Sequence, residues 1–265
     1  MTREHLWPAS LHRRLATANS QTENTFWLAR LKRAIPNEPQ IRDVCAKCNN
    51  GVLSELDEYI CGLFDSTLVR IRNRHERVVF EYHYHPLKRW LLKLSFNSAR
   101  IHGARDLFAI EAVLPYILGK SDSLGRSVQL FVQLSYAEEI PESDLGPAVA
   151  LERPVVFEPT LNRAGHVVFR VHGTGEKVLR AIHLRSFTFY LAFFKPGEGR
   201  AAQMDFANVF TRHMNETVLL RPSQNRVELL CNGMGAWTSF AGSQTNKLIF
   251  HDDPARDVRQ PFEGR

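Results

Sequence analysis

Cys45–Phe64, CAKCNNGVLSELDEYICGLF, decides how the first part of the chain folds. After its single early glycine, apolar residues recur at three- and four-residue spacing, which predicts an amphipathic helix with one buried face. Asn49 or Asn50 is a suitable N-cap, because an asparagine side chain can accept a hydrogen bond from a free amide of the first turn. The pair Cys45 and Cys48 therefore belongs to a knuckle that leads directly into a helix.

A second unusual stretch lies forty residues upstream. Residues 1–10, MTREHLWPAS, combine an acid, a histidine, two bulky apolar residues and a proline. A disordered tail rarely has this composition, so we expect an extended arm over residues 1–15 that begins a strand. The polar residues 17–25 predict a loop, and residues 26–35 predict a short helix or a strand.

Together these two segments resemble the HNH endonuclease family, whose domain is a ββα-metal finger. The pattern is E-H-x-x-P, formed by Glu4, His5 and Pro8, followed by C-x-x-C-N-N and a helix that carries Asp57. The resemblance covers residues 3 to about 60. It implies that Glu4 is the metal ligand on the strand and that His5 is the general base. By the same resemblance, Asn49 is the ligand from the helix, where other members have a histidine.

The chemistry explains why such residues are needed. Hydrolysis of a phosphodiester uses a base that activates water and a metal that neutralises charge on the phosphate. Oxygen ligands from Glu4 and Asn49 suit Mg²⁺ or Mn²⁺ better than Zn²⁺. Neighbouring strand residues point to opposite faces, so Glu4 and His5 can serve one phosphate only if the strand pair is bent or irregular.

Two positions depart from the family's pattern. A middle asparagine usually precedes the first cysteine, but here Asn37 lies far upstream and Gln40 is nearer the expected place, so the role stays unassigned. A further cysteine pair often precedes the E-H motif and completes a structural zinc site with the pair Cys45 and Cys48. Three alternatives follow: a segment precedes Met1, histidines such as His12 complete the site, or the cysteine pair no longer binds zinc.

The net charge of +6 is unevenly distributed along the chain. Residues 66–105 contain nine basic residues and two acids, so this segment carries about +7 and the remainder is close to neutral. Two interpretations of this segment stay open: a solvated helix face, or contact with a nucleic-acid backbone, since clustered arginine and lysine release counterions when they bind phosphates. The predicted backbone contacts are Arg13, Arg14, Arg70, Arg72, Arg74, Lys88, Arg89 and Lys93.

Beyond the knuckle helix, the pattern predicts a strand over residues 77–85 and a helix that begins at Pro86. In that strand His83 and His85 share one face, where they either pack or bind a metal. A third helix, disturbed near Pro115, is expected over 106–119. After residue 125 the segments are β-branched, aromatic and separated by turns, and residues 251–265 are expected to be a loose tail.

The expected fold class is therefore α+β, with an N-terminal ββα-metal finger (residues 1–65), a basic helical segment (66–120) and a β-rich domain of unassigned role (121–265). The leading functional hypothesis is a metal-dependent HNH-like endonuclease that cleaves DNA, in the setting of defence or mobile elements that the resemblance implies. The alternative is a catalytically degenerate module that binds nucleic acid or a protein. With no long apolar run, no signal core and four cysteines, the sequence favours a cytoplasmic protein without disulfides or a membrane span.

Overall fold

The computed structural model describes residues 2–19, 26–28, 31, 33–35, 38–103, 107–124, 127–145, 154–171, 176–245 and 247–250. Helices and strands are mixed along the chain, which confirms the α+β class. Asn37 and the expected tail at 251–265 lie outside the described residues.

The first part of the chain alternates short strands and helices. Its elements are β1 (Thr2–His5), α1 (Ala9–Ala18), β2 (Phe26–Leu28), β3 (Arg33–Ile35), β4 (Gln40–Val44), α2 (Ala46–Asn50) and α3 (Val52–Leu63), which continues into a π-helical turn (Phe64–Leu68). β1 pairs antiparallel with β4, and β2 pairs antiparallel with β3. The expected extended arm is thus a strand only as far as His5, because the residues after Pro8 form a helix whose Leu11 and Leu15 are buried.

The middle of the chain is helical. It contains β5 (Arg77–Glu81), α4 (Tyr84–His102), α5 (Leu107–Glu111) and α6 (Leu114–Ile117). The predicted strand over 77–85 ends at Glu81, so His83 and His85 do not share a strand face, and His83 precedes the first residue of α4. The helix expected over 106–119 is interrupted before Pro115, as predicted, and forms two short helices with Pro115 in the first turn of the second.

The remainder is dominated by one mixed sheet. The elements of this region are β6 (Val128–Tyr136), β7 (Glu138–Glu139), β8 (Val156–Phe157), β9 (Arg163–Val171), β10 (Glu176–Leu184), β11 (Phe187–Phe193), α7 (Arg200–His213), β12 (Val218–Leu220), β13 (Arg226–Leu230), β14 (Met234–Gly235), α8 (Ala236–Thr245) and β15 (Lys247–Phe250). The strand order in the large sheet is β12-β6-β11-β10-β9-β15, and β14 also pairs with β6. The sequence had indicated β6, β8, β9, β11, β13 and β15 of this region, but not β10, α7 or α8.

Both faces of the sheet are buried. On one face, Leu130 and Ile182 pack in the core that contains Trp90 of α4 and Ile60 of α3. On the other face, the aromatic residues of β6, β9 and β11 pack against Phe210 of α7. The expected boundary at residue 65 falls inside the turn that extends α3, and the core crosses it without a break. Among the described helices, none combines the length and the apolar character that a bilayer crossing requires.

One lysine of α4 is buried in this core. Lys88 is 2% exposed, and its ammonium donates to the Val128 carbonyl at 2.7 Å and to the Tyr84 hydroxyl at 3.1 Å. Burial lowers the pKa of Lys88 from 10.5 to about 8. Between these two values the unfolded chain holds a proton that the folded chain has lost, so the free energy of unfolding rises with pH there.

We expect Lys88→Met to remove this rise, because methionine does not titrate. The contribution of Lys88 amounts to at most about 3 kcal/mol between pH 8 and 10.5. Urea denaturation of both proteins at several pH values in this interval measures it. Lys120→Met, at an exposed lysine, should keep the wild-type slope. An unchanged slope in Lys88→Met would show that the buried ammonium is not the titrating group.

Candidate functional site at the β1–β4 strand pair

The β1–β4 pair joins the two segments that carry the sequence pattern. Thr2 lies opposite Val44 and donates from its hydroxyl to the Val44 carbonyl at 2.9 Å. The polypeptide then enters the cysteine knuckle, and Asn49 of α2 donates from Nδ2 to the Arg3 carbonyl at 3.1 Å. Residues more than forty positions apart in the chain therefore form one local unit, in which a strand pair is followed by helices.

Glu4 points from β1 into the protein interior. It is 4% exposed, and its carboxylate lies 2.6 Å from the ammonium of Lys93 on α4. The same ammonium lies 2.7 Å from both carboxylate oxygens of Asp57 on α3. Trp90 adds a hydrogen bond from its indole nitrogen to Asp57 at 3.1 Å. One buried lysine therefore holds two carboxylates that come from different elements.

Burial dominates the electrostatics of this triad. It raises the pKa of Glu4 and of Asp57 above their usual values, and the nearby charge of Lys93 opposes this effect without cancelling it. His5 also favours the charged form of both carboxylates, although more weakly. The imidazole of His5 is therefore close enough to interact electrostatically with both.

His5 lies on the more open side of β1, with 35% of its side chain exposed. Its Nδ1 atom is 2.5 Å from a carboxylate oxygen of Glu38. The other Glu38 oxygen accepts from the Trp7 amide at 2.6 Å and lies 3.3 Å from Nε2 of His12. An ionised carboxylate only accepts hydrogen bonds, so Nδ1 carries the proton and Nε2 of neutral His5 is the basic nitrogen.

The register of the strand pair bears on how Glu4 and His5 are placed. The pairing is irregular between Thr2 and Glu4, as the sequence analysis required, but Glu4 and His5 themselves lie in regular register opposite Ile41 and Gln40. Their side chains consequently leave the strand on opposite sides. The structure places Glu4 beside Lys93 and His5 beside the acid that precedes β4.

Asn49 and the cysteine knuckle lie at the end of the same strand pair. Cys45 is the N-cap of α2, and its sulfur accepts from the Cys48 amide at 3.3 Å. Hydrogen bonds from Cys48 lower the pKa of Cys45, while the pKa of Cys48 is raised. The exposed Cys45 therefore has the greater tendency to be a thiolate, the form that binds a metal.

Among the residues that the structure describes, no three or more histidine, cysteine, aspartate or glutamate side chains are grouped to hold a metal ion. His12, one candidate to complete a zinc site with the cysteine pair, contacts Glu38 instead. Cys61 and Cys231 are buried, and neither belongs to the C-x-x-C motif. The oxygen donors Glu4 and Asn49 remain the predicted ligands of a hard cation.

The predicted DNA-contacting residues fall into three groups. Arg13, Arg70 and Arg74 are exposed. Arg14, Arg72 and Arg89 are partly buried, and they donate to Asp65, Glu76 and the Ile117 carbonyl respectively. Lys88 and Lys93 are buried, so the prediction that they contact a DNA backbone is wrong.

The error has a physical reason. The helix α4 is covered on nearly all sides, by α3, by the sheet and by α6, so its polar positions also face protein. The ammonium groups of Lys88 and Lys93 lie in the protein interior, where they donate to carbonyl, hydroxyl and carboxylate oxygens. A buried ammonium in such contacts is not available to a phosphate backbone.

The structure also adds residues that the sequence analysis missed. Glu38 is the partner of His5 in the region where the family's middle asparagine was sought. Arg3, Arg42 and Lys47 are exposed on β1, β4 and α2, the elements that hold Asn49 and His5. A count of charge in consecutive residues could not find this basic group, because strand pairing assembles it from separate segments.

No family model matches the chain, and searches of curated proteins and of solved structures found no similar protein.

The buried triad makes a stability prediction. Replacing Lys93 by methionine leaves Glu4 and Asp57 as two desolvated carboxylates without their cation, so we expect a loss of about 3 kcal/mol in the free energy of unfolding. Adding Glu4→Gln and Asp57→Asn to this variant removes the stranded charges and should recover much of the loss. Chemical denaturation at pH 7 measures all of these variants. Equal stability of wild type and Lys93→Met would refute the buried ion-pair arrangement.

Proposed function

We propose that the chain is an HNH-like endonuclease that hydrolyses DNA phosphodiester bonds with His5 as its general base. The observation that supports this proposal best is the contact between Asn49 and the β1 backbone at Arg3. This hydrogen bond brings the E-H and C-x-x-C-N-N segments, which are far apart in sequence, next to each other, with α2 directly after the strand that pairs with β1.

The geometry of His5 suits a general base. Glu38 fixes the ring through Nδ1, so Nε2 is the nitrogen that takes a proton from an attacking water. The oxygen of that water forms a bond to phosphorus as the bond from phosphorus to the leaving sugar oxygen breaks. Glu38 stabilises the positive charge that His5 gains, as a carboxylate does beside a catalytic histidine in other hydrolases. Partial exposure of the ring gives a substrate access to it.

Glu4 and Asn49 carry oxygen donors of the type that Mg²⁺ or Mn²⁺ prefers, although Glu4 is buried against Lys93 and leaves β1 on the side opposite His5. Glu4 would supply a carboxylate oxygen, and Asn49 would supply its amide oxygen, because Nδ2 already donates to Arg3. When bound, such a cation would neutralise charge on the phosphate and the leaving oxygen. Lys93 holds Glu4 through its contact with one carboxylate oxygen, which orients the side chain without using its full ligating capacity.

Basic residues around the strand pair support a polyanionic substrate. Arg3, Arg42 and Lys47 are exposed near His5 and Asn49, and Arg13 is exposed on α1. Contacts from these side chains to phosphates would position the duplex and carry no information about base sequence. The proposal therefore includes no target sequence.

A catalytically degenerate binding module is the second candidate. Two observations favour it. Lys93 lies between the carboxylates of Glu4 and Asp57. Among the described residues, no three histidine, cysteine, aspartate or glutamate side chains are grouped closely enough to hold a metal ion. In such a module the ammonium would permanently replace a metal ion, and the exposed arginines would retain affinity for nucleic acid without cleavage.

Cleavage of supercoiled plasmid tests the proposal. We expect wild type to nick or linearise the plasmid with Mg²⁺ or Mn²⁺, whereas His5→Ala should lose at least about a hundredfold in rate, the usual contribution of a general base. Asn49→Ala should show a similar loss that higher metal concentrations partly reverse. Glu38→Gln should lower kcat by about tenfold with little change in KM, because Glu38 positions the base and does not touch the substrate.

Glu142→Gln, at an exposed glutamate of the β-rich region, serves as the control and should cleave like wild type. If wild type and all variants leave the plasmid intact in every metal, the nuclease proposal fails. Persistent DNA binding with a steep dependence on salt would then favour the binding module.

A further inference from the structure

A pair of thiols that the proposed hydrolysis does not use lies at the junction of β4 and α2. Cys45 is the N-cap of α2, and Cys48 is the third residue of that helix. All four cysteines of the chain belong to the described residues and are free, but Cys45 is exposed and Cys48 is half-buried, whereas Cys61 and Cys231 are buried. The thiols that a reagent in solution can reach are therefore two neighbours, one helical turn apart.

The backbone around this pair has the geometry that a disulfide needs. The Cys45 carbonyl accepts from the Asn49 amide at 3.0 Å, which is a helical hydrogen bond and places Cys45 on the same turn as Cys48. In an ideal helix, Cα atoms three residues apart are separated by about 5 Å. Disulfide-linked cysteines have Cα atoms about 4.4–6.8 Å apart. A bond between the two sulfur atoms therefore requires no large movement of the chain.

The two side chains already contact each other. The sulfur of Cys45 accepts hydrogen bonds from the Cys48 amide, at 3.3 Å, and from the Cys48 thiol. Donors aimed at a sulfur stabilise the negative charge that it carries when it attacks as a thiolate. The side chain of Cys48 packs against the hydrophobic core. These contacts make the exposed Cys45 the attacking sulfur and Cys48 the sulfur that resolves the intermediate.

Positive charge lies beside the pair. The ammonium groups of Lys120 and Lys47 are close enough to Cys48 to interact electrostatically with its sulfur, and both lysines are exposed. Exposed cations next to a reactive thiol attract reagents that carry negative charge. The reagent that suits this surface is a small disulfide with carboxylate groups, of which glutathione disulfide is an example.

The other two cysteines are not suited to this chemistry. The Cys61 sulfur lies 3.1 Å from the Ser10 hydroxyl, and the Cys231 sulfur lies 3.9 Å from the Arg72 carbonyl. Burial raises the pKa of Cys61, and it raises the pKa of Cys231 to about 12. A buried thiol that stays protonated is a poor nucleophile, so Cys61 and Cys231 provide internal controls.

We propose that Cys45 and Cys48 form a redox-active dithiol that exchanges with small disulfides and closes reversibly into an intramolecular disulfide. The Cys45 sulfur attacks one sulfur of the reagent and forms a mixed disulfide, while the S–S bond of the reagent breaks and one thiolate leaves. The Cys48 sulfur then loses its proton and attacks the Cys45 sulfur, which releases the second thiolate. The two cysteine protons end on the two released thiols, and two electrons pass from the protein to the reagent.

This exchange is separate from the proposed DNA hydrolysis. None of its steps uses DNA, a metal ion or His5, so failure of the nuclease proposal would leave it untouched. Reduced glutathione reverses both steps, because the same thiolate exchange runs in either direction according to the ratio of thiol to disulfide.

Glutathione redox buffers test the proposal on the full chain. The protein is equilibrated in EDTA with different ratios of reduced to oxidised glutathione, quenched in acid, alkylated and digested with trypsin for mass spectrometry. Cleavage after Arg42 and Lys47 places the two cysteines in separate peptides, residues 43–47 and 48–70. The second peptide also contains Cys61, so fragmentation of the linked pair identifies the bonded sulfur. We expect a Cys45–Cys48 link that increases with oxidised glutathione and disappears when reduced glutathione is restored.

Variants assign the two roles. Cys48→Ser should stop at the mixed disulfide, with glutathione attached to Cys45. Cys45→Ser should react at least about tenfold more slowly, because its remaining thiol is half-buried. Cys61→Ala, which removes a thiol outside the pair, should form the link like wild type, and circular dichroism verifies that each variant is folded.

Three results would overturn the proposal. The first is that folded wild type forms no Cys45–Cys48 disulfide at any glutathione ratio. The second is that Cys61 or Cys231 of the folded chain is oxidised as readily as Cys45. The third is that the glutathione adduct on Cys45 persists in wild type as long as it does in Cys48→Ser, which would show that Cys48 does not resolve it.

Discussion

The candidate site at the β1–β4 strand pair depends on the ion pairs of the buried Lys93 ammonium with Glu4 and Asp57. This ammonium lies within 2.7 Å of carboxylates from β1 and α3 while belonging to α4, and it therefore ties three elements together. Two ionised carboxylates taken out of water would repel each other, so the charged forms of Glu4 and Asp57 depend on this cation. Because Lys93 binds Glu4, its position fixes the position of β1. His5 lies on the same strand, and β4 pairs with it.

This arrangement makes the site a property of the whole fold and not of the first segment alone. Besides Lys93, α4 contributes Asn97, whose amide lies 3.5 Å from the His5 carbonyl. α4 is in turn fixed by the sheet, with Trp90 and Leu91 in the same core as Leu130 and Ile182. The β-rich region thus supports the position of β1 at a distance, through one long buried helix.

The opposite connection runs through α1. Asn19 at its end accepts from Arg185 in the β10–β11 turn and donates to the Thr160 carbonyl at 3.1 Å. The β10–β11 turn is therefore anchored to the helix that follows Pro8, and so to the segment that continues from β1.

Local patterns were sufficient for some of this structure. The apolar spacing after the cysteine knuckle predicts α3, and the β-branched and aromatic residues of the later segments predict β6, β9 and β11, because each pattern matches the period of a single element. The α+β class follows from their order. The length of the strand beginning at Arg77 was overestimated, because Tyr82 and Tyr84 continue its alternation although α4 has already begun.

Other features depend on contacts between distant segments, which a single sequence does not display. Lys88 and Lys93 are spaced like residues of a solvated face, and only the packing of α4 between α3 and the sheet buries them. Glu38 has no signature beyond its charge until β1 pairs with β4.

The central claim is that His5 acts as a base within a site that β1, β4 and α2 build together. Chemical rescue tests it most directly: the plasmid cleavage rate of His5→Ala is measured with and without added imidazole, beside wild type and Asn49→Ala. The account predicts that imidazole raises the rate of His5→Ala in proportion to its concentration and leaves the other two proteins unchanged. Absence of rescue in an otherwise folded His5→Ala, or an equal increase in all three proteins, would contradict it.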